Sequence, residues 1–258
     1  MATVTSKDGT RISYVRTGSG PAVILVGGAL DDGAENVPLA EELARSCTVF
    51  NYARRGRGES GDTAPYALAR EIEDLLALVS EAGGTAHLHG VSSGGALALE
   101  AVAAGLPVSS LSVYEVPYDM TEGAPRRQHA FAERLRVLIE SGDRDGALVH
   151  AMRNWGSPEE QIEAARHTPM WPGLLELAPT LVYDVTCLGT GVPSTERLAT
   201  ISQPVLVLDG ELGAGFFGPA ADAIAGSVPH SRRRTLAGQG HVADPEAIAE
   251  VLLAFHLG

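Results

Sequence analysis

The chain has 258 residues, of which 45% are hydrophobic, and its formal net charge is −13 at pH 7. This length fits one large domain with an insertion or two small domains, and the hydrophobic fraction suffices for a substantial core. The acidic charge argues against binding to nucleic acid or to an anionic membrane, and the absence of a long apolar run argues against a membrane span.

Predicted strands and helices alternate along most of the chain. The first residues lack the pattern of a signal peptide, and Val4–Ser6 and Arg11–Val15 predict a hairpin that turns at Asp8-Gly9. The other predicted strands are Ala22–Val26, Cys47–Tyr52, Thr85–His89, Val108–Tyr114, Val205–Asp209 and Arg233–Leu236. The helices predicted between them are Ala34–Arg45, Pro65–Ala82, Ser93–Ala104, Pro219–Ser227 and Asp244–Phe255. This alternation predicts an α/β fold with a mostly parallel sheet of eight strands flanked by helices.

The alternation stops between residues 117 and 200. No convincing strand is predicted there, and amphipathic helical patterns follow one another instead. These patterns are Arg126–Glu140, Arg144–Trp155, Pro158–His167 and Leu174–Val185. We therefore expect a core of residues 1–116 and 201–258 and an inserted helical cap of residues 117–200.

The segment Leu88–Gly95 carries the strongest chemical signal in the sequence. Ser92 stands between Gly90 and Gly94, with a strand pattern before it and an alanine-rich helix pattern after it. Glycines at these two positions let a strand turn sharply into a helix and leave the serine hydroxyl exposed at the tip. This arrangement is typical of a nucleophile; a plain glycine-rich turn is the alternative.

Four motifs together resemble those of the α/β-hydrolase-fold superfamily over essentially the whole chain. They are Gly27-Gly28 after the third strand, Arg55–Ser60 after the fourth, Ser92 after the fifth and Gly240-His241 before the last helix. The resemblance implies a serine hydrolase with a helical lid, in which His241 is the base that activates Ser92.

The resemblance also implies an oxyanion hole. Its donors are expected to be the backbone amides of Ser93 and Ala29, with Gly28 as the neighbouring candidate. Gly27 stands where the family usually has histidine, so the bracing of this loop is expected to differ.

The acid of the expected triad is where the sequence departs from the family pattern. Most members carry an aspartate after the seventh strand, at a position that holds Gly213 here. Some members place the acid after the sixth strand, which Glu115 follows in this chain. We therefore predict Ser92, His241 and Glu115 as the catalytic residues. The alternative acids are Asp209, Glu211, Asp119 and Asp184.

The predicted reaction is cleavage of an ester, thioester or lactone of a small, largely apolar substrate through an acyl-enzyme on Ser92. Trp171, Tyr118 and Leu30 are the candidate substrate-binding residues. The same site would also suit carbon–carbon bond hydrolysis, perhydrolysis or a biosynthetic cyclisation. A non-hydrolytic small-ligand binding protein is the alternative from another class.

No cofactor or metal is expected, because the two cysteines, Cys47 and Cys187, form no ligand cluster. They are expected to be buried thiols in a cytoplasmic protein. The expected partner is a small-molecule substrate, without nucleic acid or membrane. The sequence leaves the oligomeric state open.

Overall fold

The structure is a computed structural model that describes residues 1–258. Its strands are β1 (Ala2–Thr5), β2 (Arg11–Gly18), β3 (Ala22–Val26), β4 (Thr48–Tyr52), β5 (Ala86–Val91), β6 (Val108–Tyr114), β7 (Val205–Gly210) and β8 (Ser231–Leu236). They form one sheet in the order β1-β2-β4-β3-β5-β6-β7-β8, and only β2 runs against its neighbours. The predicted mostly parallel sheet of eight strands is confirmed.

The central strands are buried on both faces because helices cover each side. Side chains of a strand alternate between the two faces. Ile24 and Val26 of β3 therefore belong to the larger apolar cluster, which also contains residues of α2 and α3. Val23 and Leu25 belong to a second apolar cluster, which also contains residues of α1 and α11. This double burial explains the continuous apolar run that predicted β3.

The chain forms eleven helices. They are α1 (Val37–Leu43), α2 (Leu68–Glu81), α3 (Ser93–Ala103), α4 (Ala124–Glu140), α5 (Arg144–Asn154), α6 (Glu159–Arg166), α7 (Trp171–Leu177), α8 (Leu181–Cys187), α9 (Thr195–Leu198), α10 (Phe217–Ser227) and α11 (Pro245–Leu257). The predicted start of the last helix is confirmed, since the Asp244 side chain accepts a hydrogen bond from the Ala247 amide at 3.0 Å. None of these helices combines the length and hydropathy that a membrane crossing requires.

Helices α4 to α9 all lie between β6 and β7. Residues of α4, α5, α6, α7 and α8 share an apolar cluster of their own, separate from the two clusters on the sheet. The single helix predicted over Leu174–Val185 is wrong, because α7 and α8 are separated by a 3-10 turn at Ala178–Thr180. Pro179 explains the break, since proline has no amide hydrogen and its ring clashes with the preceding helical turn.

A buried chain of hydrogen bonds joins three histidines and two serines between β5, β6 and α11. Ser110 Oγ lies 2.8 Å from His87 Nδ1 and 2.7 Å from His256 Nδ1. Ser112 Oγ lies 2.9 Å from His256 Nε2 and 2.8 Å from His89 Nδ1. Burial lowers the pKa of His89 to about 4, and burial together with the neighbouring imidazoles lowers the pKa of His256 to about 3. The network therefore holds neutral imidazoles.

We expect the free energy of unfolding to fall as the pH drops below about 6.5, the ordinary histidine pKa. Below that pH the unfolded chain binds protons that the buried His89 and His256 do not bind. Each of the two therefore contributes a loss of up to about 1.4 kcal/mol per pH unit. Urea unfolding between about pH 7 and pH 5 measures this slope.

The variant His256→Gln should show a shallower pH dependence than the wild type, because one of these sites no longer takes up a proton on unfolding. His129→Gln is the matched control, since His129 is exposed on α4. An unchanged slope in His256→Gln would contradict the assignment of the pH dependence to this network.

Candidate active site

Ser92 occupies a strained turn between β5 and α3. Its φ is 55° and its ψ is −126°, a backbone conformation that residues with a Cβ rarely adopt. A Cβ on Gly90 would lie 2.6 Å from the Gly94 carbonyl oxygen, and one on Gly94 would collide with the Gly27 carbonyl oxygen. The two glycines of the motif are therefore required by close backbone approach, and Ser92 stands half-buried at the tip.

Glu115 immediately follows β6, also with a positive φ, 47°. Its carboxylate is fully buried. Oε1 accepts a hydrogen bond from the Gly210 amide at 2.9 Å, and Oε2 lies 2.6 Å from Nδ1 of His241. His241 lies in the loop between β8 and α11 with 48% of its side chain exposed. The structure thus pairs a buried carboxylate with a half-exposed imidazole.

Ser92 and Glu115 lie at the carboxyl ends of neighbouring parallel strands. The Ser92 amide donates a hydrogen bond to the carbonyl of Tyr114, the residue before Glu115, at 2.9 Å. This edge of the sheet therefore carries the predicted nucleophile and the predicted acid, and the acid contacts the predicted base. No hydrogen bond links Ser92 Oγ to His241 in the structure. The imidazole keeps Nδ1 on Glu115, which leaves Nε2 as the nitrogen available to a proton donor.

Gly213 explains how a carboxylate after β6 fits this site. A Cβ on Gly213 would collide with Oε1 of Glu115. The Glu115 carboxylate therefore occupies the space that a side chain at position 213 would need. A side chain at position 213 and the Glu115 carboxylate therefore cannot both be accommodated, and this chain has room for one carboxylate beside His241.

The alternative acids are engaged elsewhere. Asp209 lies 2.8 Å from Nη1 of Arg233, and although burial raises the pKa of its carboxyl, Arg233 brings that pKa below its ordinary value. Glu211 accepts a hydrogen bond from the Gly238 amide at 2.8 Å. The other two candidates, Asp119 and Asp184, pair with arginines. None of the four contacts His241.

The residue that stacks on the imidazole was not predicted from the sequence. Phe217, at the start of α10, is buried and lies parallel to the His241 ring, with 5.0 Å between centroids and 8° between planes. Phe217 precedes the helix predicted over Pro219–Ser227, and no local signal distinguishes its role. Stacking restrains the plane of the ring that Glu115 holds at one nitrogen.

The loop after β3 approaches Ser92 closely. A Cβ on Gly28 would lie 3.1 Å from the Cβ of Ser92. The amides of Ala29 and Ser93 donate to no protein acceptor. Ser93 is the first residue of α3, where a helix leaves its amides unpaired and carries partial positive charge. The two unpaired backbone donors thus belong to the residue after Ser92 and to the residue after Gly28.

Asp31 fills the space beside Gly27, where the family usually has histidine. A Cβ on Gly27 would collide with Oδ2 of Asp31. Burial raises the pKa of this carboxyl, which accepts hydrogen bonds from the Gly33 amide at 2.7 Å and from Asn36 Nδ2 at 2.8 Å. The loop is therefore braced by an aspartate four residues after Gly27.

A cluster of buried charges lies beneath the same loop. Arg54 binds both carboxylate oxygens of Glu71, each at 2.7 Å, and lies 2.7 Å from Oδ1 of Asp184. Arg57 lies 2.8 Å from the same oxygen. Burial alone raises the pKa of the Asp184 carboxyl, but Arg57 and Arg54 bring that pKa below its ordinary value. Two cations and two anions balance, so removing one partner would leave an uncompensated buried charge.

The predicted substrate-binding residues differ in their accessibility. Trp171 is 6% exposed and packs within the apolar cluster of α4 to α8, and Tyr118 is 3% exposed and packs in the main core. Leu30 is half-buried, has a φ of 60° and packs, with Ala29, against the cluster that contains Trp171. Of the three, only Leu30 presents part of its surface near the unpaired amides.

Comparison with known proteins gives consistent matches over nearly the whole chain. The profile of the alpha/beta hydrolase family matches residues 23–251. An alpha/beta hydrolase from Sphaerobacter thermophilus is 44% identical, with a TM-score of 0.90 over 98% of this chain and 99% of that chain. A hydrolase from Pseudomonas aeruginosa is 22% identical, with a TM-score of 0.79 over 100% of this chain and 98% of that chain. A pimeloyl-[acyl-carrier protein] methyl ester esterase from Xanthomonas campestris is 27% identical over 251 residues, 92% of this chain and 96% of its own length.

We expect Gly213→Ala to destabilise the protein by about 1–3 kcal/mol, because the new methyl group must displace a buried carboxylate from two hydrogen bonds. Gly215→Ala is the matched control, since a Cβ at Gly215 meets nothing within 4 Å. Urea unfolding of both variants measures the difference. Equal stability of the two variants would contradict the packing of Glu115 against Gly213.

Proposed function

Since this chain belongs to the alpha/beta hydrolase family, we propose that it cleaves an ester, thioester or lactone of a small, largely apolar molecule through an acyl-enzyme on Ser92. One observation carries the proposal. The 2.6 Å contact between Glu115 Oε2 and His241 Nδ1 is built at the sheet edge where Ser92 stands on a strained turn.

The chemistry follows from the hydrogen-bonding capacity of each group. Glu115 accepts the Nδ1 hydrogen of His241, so Nε2 carries a lone pair that takes the hydroxyl proton of Ser92. Ser92 Oγ then bonds to the substrate carbonyl carbon, whose electron pair moves to the carbonyl oxygen. The tetrahedral intermediate collapses as the leaving oxygen or sulfur departs and receives the proton from His241. Water repeats the sequence on the acyl-enzyme and restores Ser92.

The developing oxyanion is the charge that the site must stabilise. The unpaired amides of Ser93 and Ala29 are the donors in this proposal, with Gly28 adjacent. Removing one such donor from an enzyme typically costs about a hundredfold or more in rate. The amide of Ser93 adds the favourable field of the helix that begins there.

We assign residues 117–200 to a cap over this site and residues 1–116 and 201–258 to the catalytic core. The packing of Ala29 and Leu30 against the apolar cluster of α4 to α8 supports the assignment. Through this contact the helices between β6 and β7 border the loop that carries an oxyanion donor.

An apolar substrate suits the surroundings of His241. Three large apolar side chains near the imidazole are exposed, Leu212 by 70%, Phe216 by 39% and Val242 by 91%. Phe216 packs on Phe217, which stacks on His241. The esterase from Xanthomonas campestris, which acts on a methyl ester by its name, supports an ester as the scissile bond. The net charge of −13 argues against nucleic acid or an anionic membrane as partner.

A fluorophosphonate probe tests the nucleophile. We expect the wild-type protein to be labelled, and Ser92→Ala to lose both labelling and hydrolysis of p-nitrophenyl esters, because the probe reacts with an activated serine hydroxyl. Ser109→Ala, which alters an exposed serine on β6, should keep both. A wild type that resists labelling and hydrolysis would favour the small-ligand binding protein.

The role of Glu115 as the acid is tested by removing its carboxylate and by placing a carboxylate at position 213 instead. Glu115→Gln should lower kcat by about a thousandfold or more, because an amide donor facing Nδ1 stabilises the wrong imidazole tautomer. The double variant Glu115→Gly with Gly213→Asp places a carboxylate at the family's usual position and should recover part of this loss. Asp209→Asn is the control for a nearby aspartate. Near-normal turnover in Glu115→Gln together with a severe loss in Asp209→Asn would overturn the assignment.

A further inference from the structure

Three hydrogen-bond donors converge on one oxygen of Asp184, a buried residue of α8. Arg54 Nη1 lies 2.7 Å, Arg57 Nη2 2.8 Å and Ser93 Oγ 2.8 Å from Oδ1. The second carboxylate oxygen, Oδ2, is buried and accepts no hydrogen bond. This carboxylate therefore accepts hydrogen bonds only from Arg54, Arg57 and Ser93, and Ser93 directly follows the predicted nucleophile.

Both arginines continue from Asp184 to the loop after β3. Arg57 Nη1 donates to the Gly28 carbonyl, and Arg54 Nη1 lies 3.5 Å from the Gly27 carbonyl oxygen. In a trans peptide the C=O and the following N–H point in opposite directions. Because Arg57 holds the Gly28 carbonyl, the Ala29 N–H of the same peptide points away from Arg57.

The second oxyanion donor has the same anchor. Ser93 donates its hydroxyl to Asp184, which fixes the side chain of the residue whose amide opens α3. A single carboxylate thus restrains the Ser93 amide through that residue's side chain and the Ala29 amide through Arg57. The two donors belong to segments 64 residues apart in the sequence, so no local interaction sets their separation.

We propose that Asp184 is a positioning residue that sets the geometry of the oxyanion hole. The inference rests on the proposed function, because it requires Ser93 and Ala29 to be the oxyanion donors. Asp184 comes from α8, between β6 and β7, so the helices assigned to the cap also contribute to the precision of the catalytic step. Its effect reaches the reacting carbonyl only through the two amides.

A neighbouring ion pair provides a matched control for simple loss of a buried charge. Arg55 binds Asp74 at 2.8 Å and 2.7 Å, and both side chains are as buried as those around Asp184. Arg55 also contacts Asp8 and the Arg70 carbonyl but makes no hydrogen bond with the loop after β3. Asp74→Asn therefore removes a comparable charge without disturbing either donor.

Steady-state hydrolysis of a p-nitrophenyl ester tests the proposal. Asp184→Asn should lower kcat by roughly 10- to 100-fold with little change in KM, because displaced oxyanion donors weaken binding of the transition state and not of the ground state. Asp74→Asn should keep kcat near the wild-type value even where it lowers stability. An equal fall of kcat in both variants would overturn the proposal.

Binding of an inhibitor supplies a readout that general destabilisation does not produce. A phenylboronic acid forms a tetrahedral adduct with an active-site serine and mimics the oxyanion, so its Ki should rise in Asp184→Asn roughly in proportion to the fall in kcat. The Ki of the planar carboxylate product should stay near the wild-type value. An unchanged boronate Ki would overturn the proposal.

Ser93→Ala keeps the proposal testable if Asp184→Asn does not fold, because it removes one donor to Asp184 and leaves all four charges paired. It should lower kcat by roughly three- to tenfold at constant KM. Unchanged kcat in Ser93→Ala would then overturn the proposal. A wild type that hydrolyses no ester would overturn the proposed function and this inference together, whereas an active wild type with an equally active Asp184→Asn would overturn the inference alone.

Discussion

The buried carboxylate of Glu115 is the constraint on which the rest of the site depends. A carboxylate out of contact with water is costly unless its oxygens are hydrogen-bonded. Here Oε1 accepts a hydrogen bond from the Gly210 amide, and Oε2 lies within hydrogen-bond distance of His241. A side chain at position 213 would collide with this carboxylate, so the space around it is filled. The carboxyl ends of β6 and β7 and the imidazole are thereby held in one arrangement.

Close backbone approach sets the geometry around this carboxylate. Ser92 and Glu115 both adopt positive φ at the ends of adjacent strands, and each such residue costs about 1–3 kcal/mol that the surrounding packing must offset. Gly28 and Gly94 bring the loop after β3 against the turn at Ser92. Beneath that loop lie the balanced charges of Arg54, Arg57, Glu71 and Asp184. The two arginines restrain the loop through the carbonyls of Gly27 and Gly28.

The alternation of strands and helices and the turn at Ser92 could be predicted from the sequence because their signals are local. The contact of Glu115 with His241 was also predictable, since the family's usual acid position holds Gly213 and a carboxylate directly follows the strand beside Ser92. The stacking of Phe217 on His241 and the contact of Arg54 with Asp184, 130 residues apart, could not be predicted. Both depend on tertiary packing between segments whose own patterns indicate only a helix or a loop.

Nuclear magnetic resonance of the His241 side chain tests most directly whether Glu115 holds the proposed catalytic base. Protein with ¹⁵N-labelled histidine, compared with His241→Gln for assignment, reports which ring nitrogen bears the proton. We predict that Nδ1 of His241 carries a hydrogen-bonded proton and that Nε2 is unprotonated at neutral pH. The Nδ1 proton signal should disappear when Glu115 is replaced by glutamine. A neutral imidazole protonated at Nε2, or an Nδ1 proton signal that the replacement leaves unchanged, would contradict this role of Glu115.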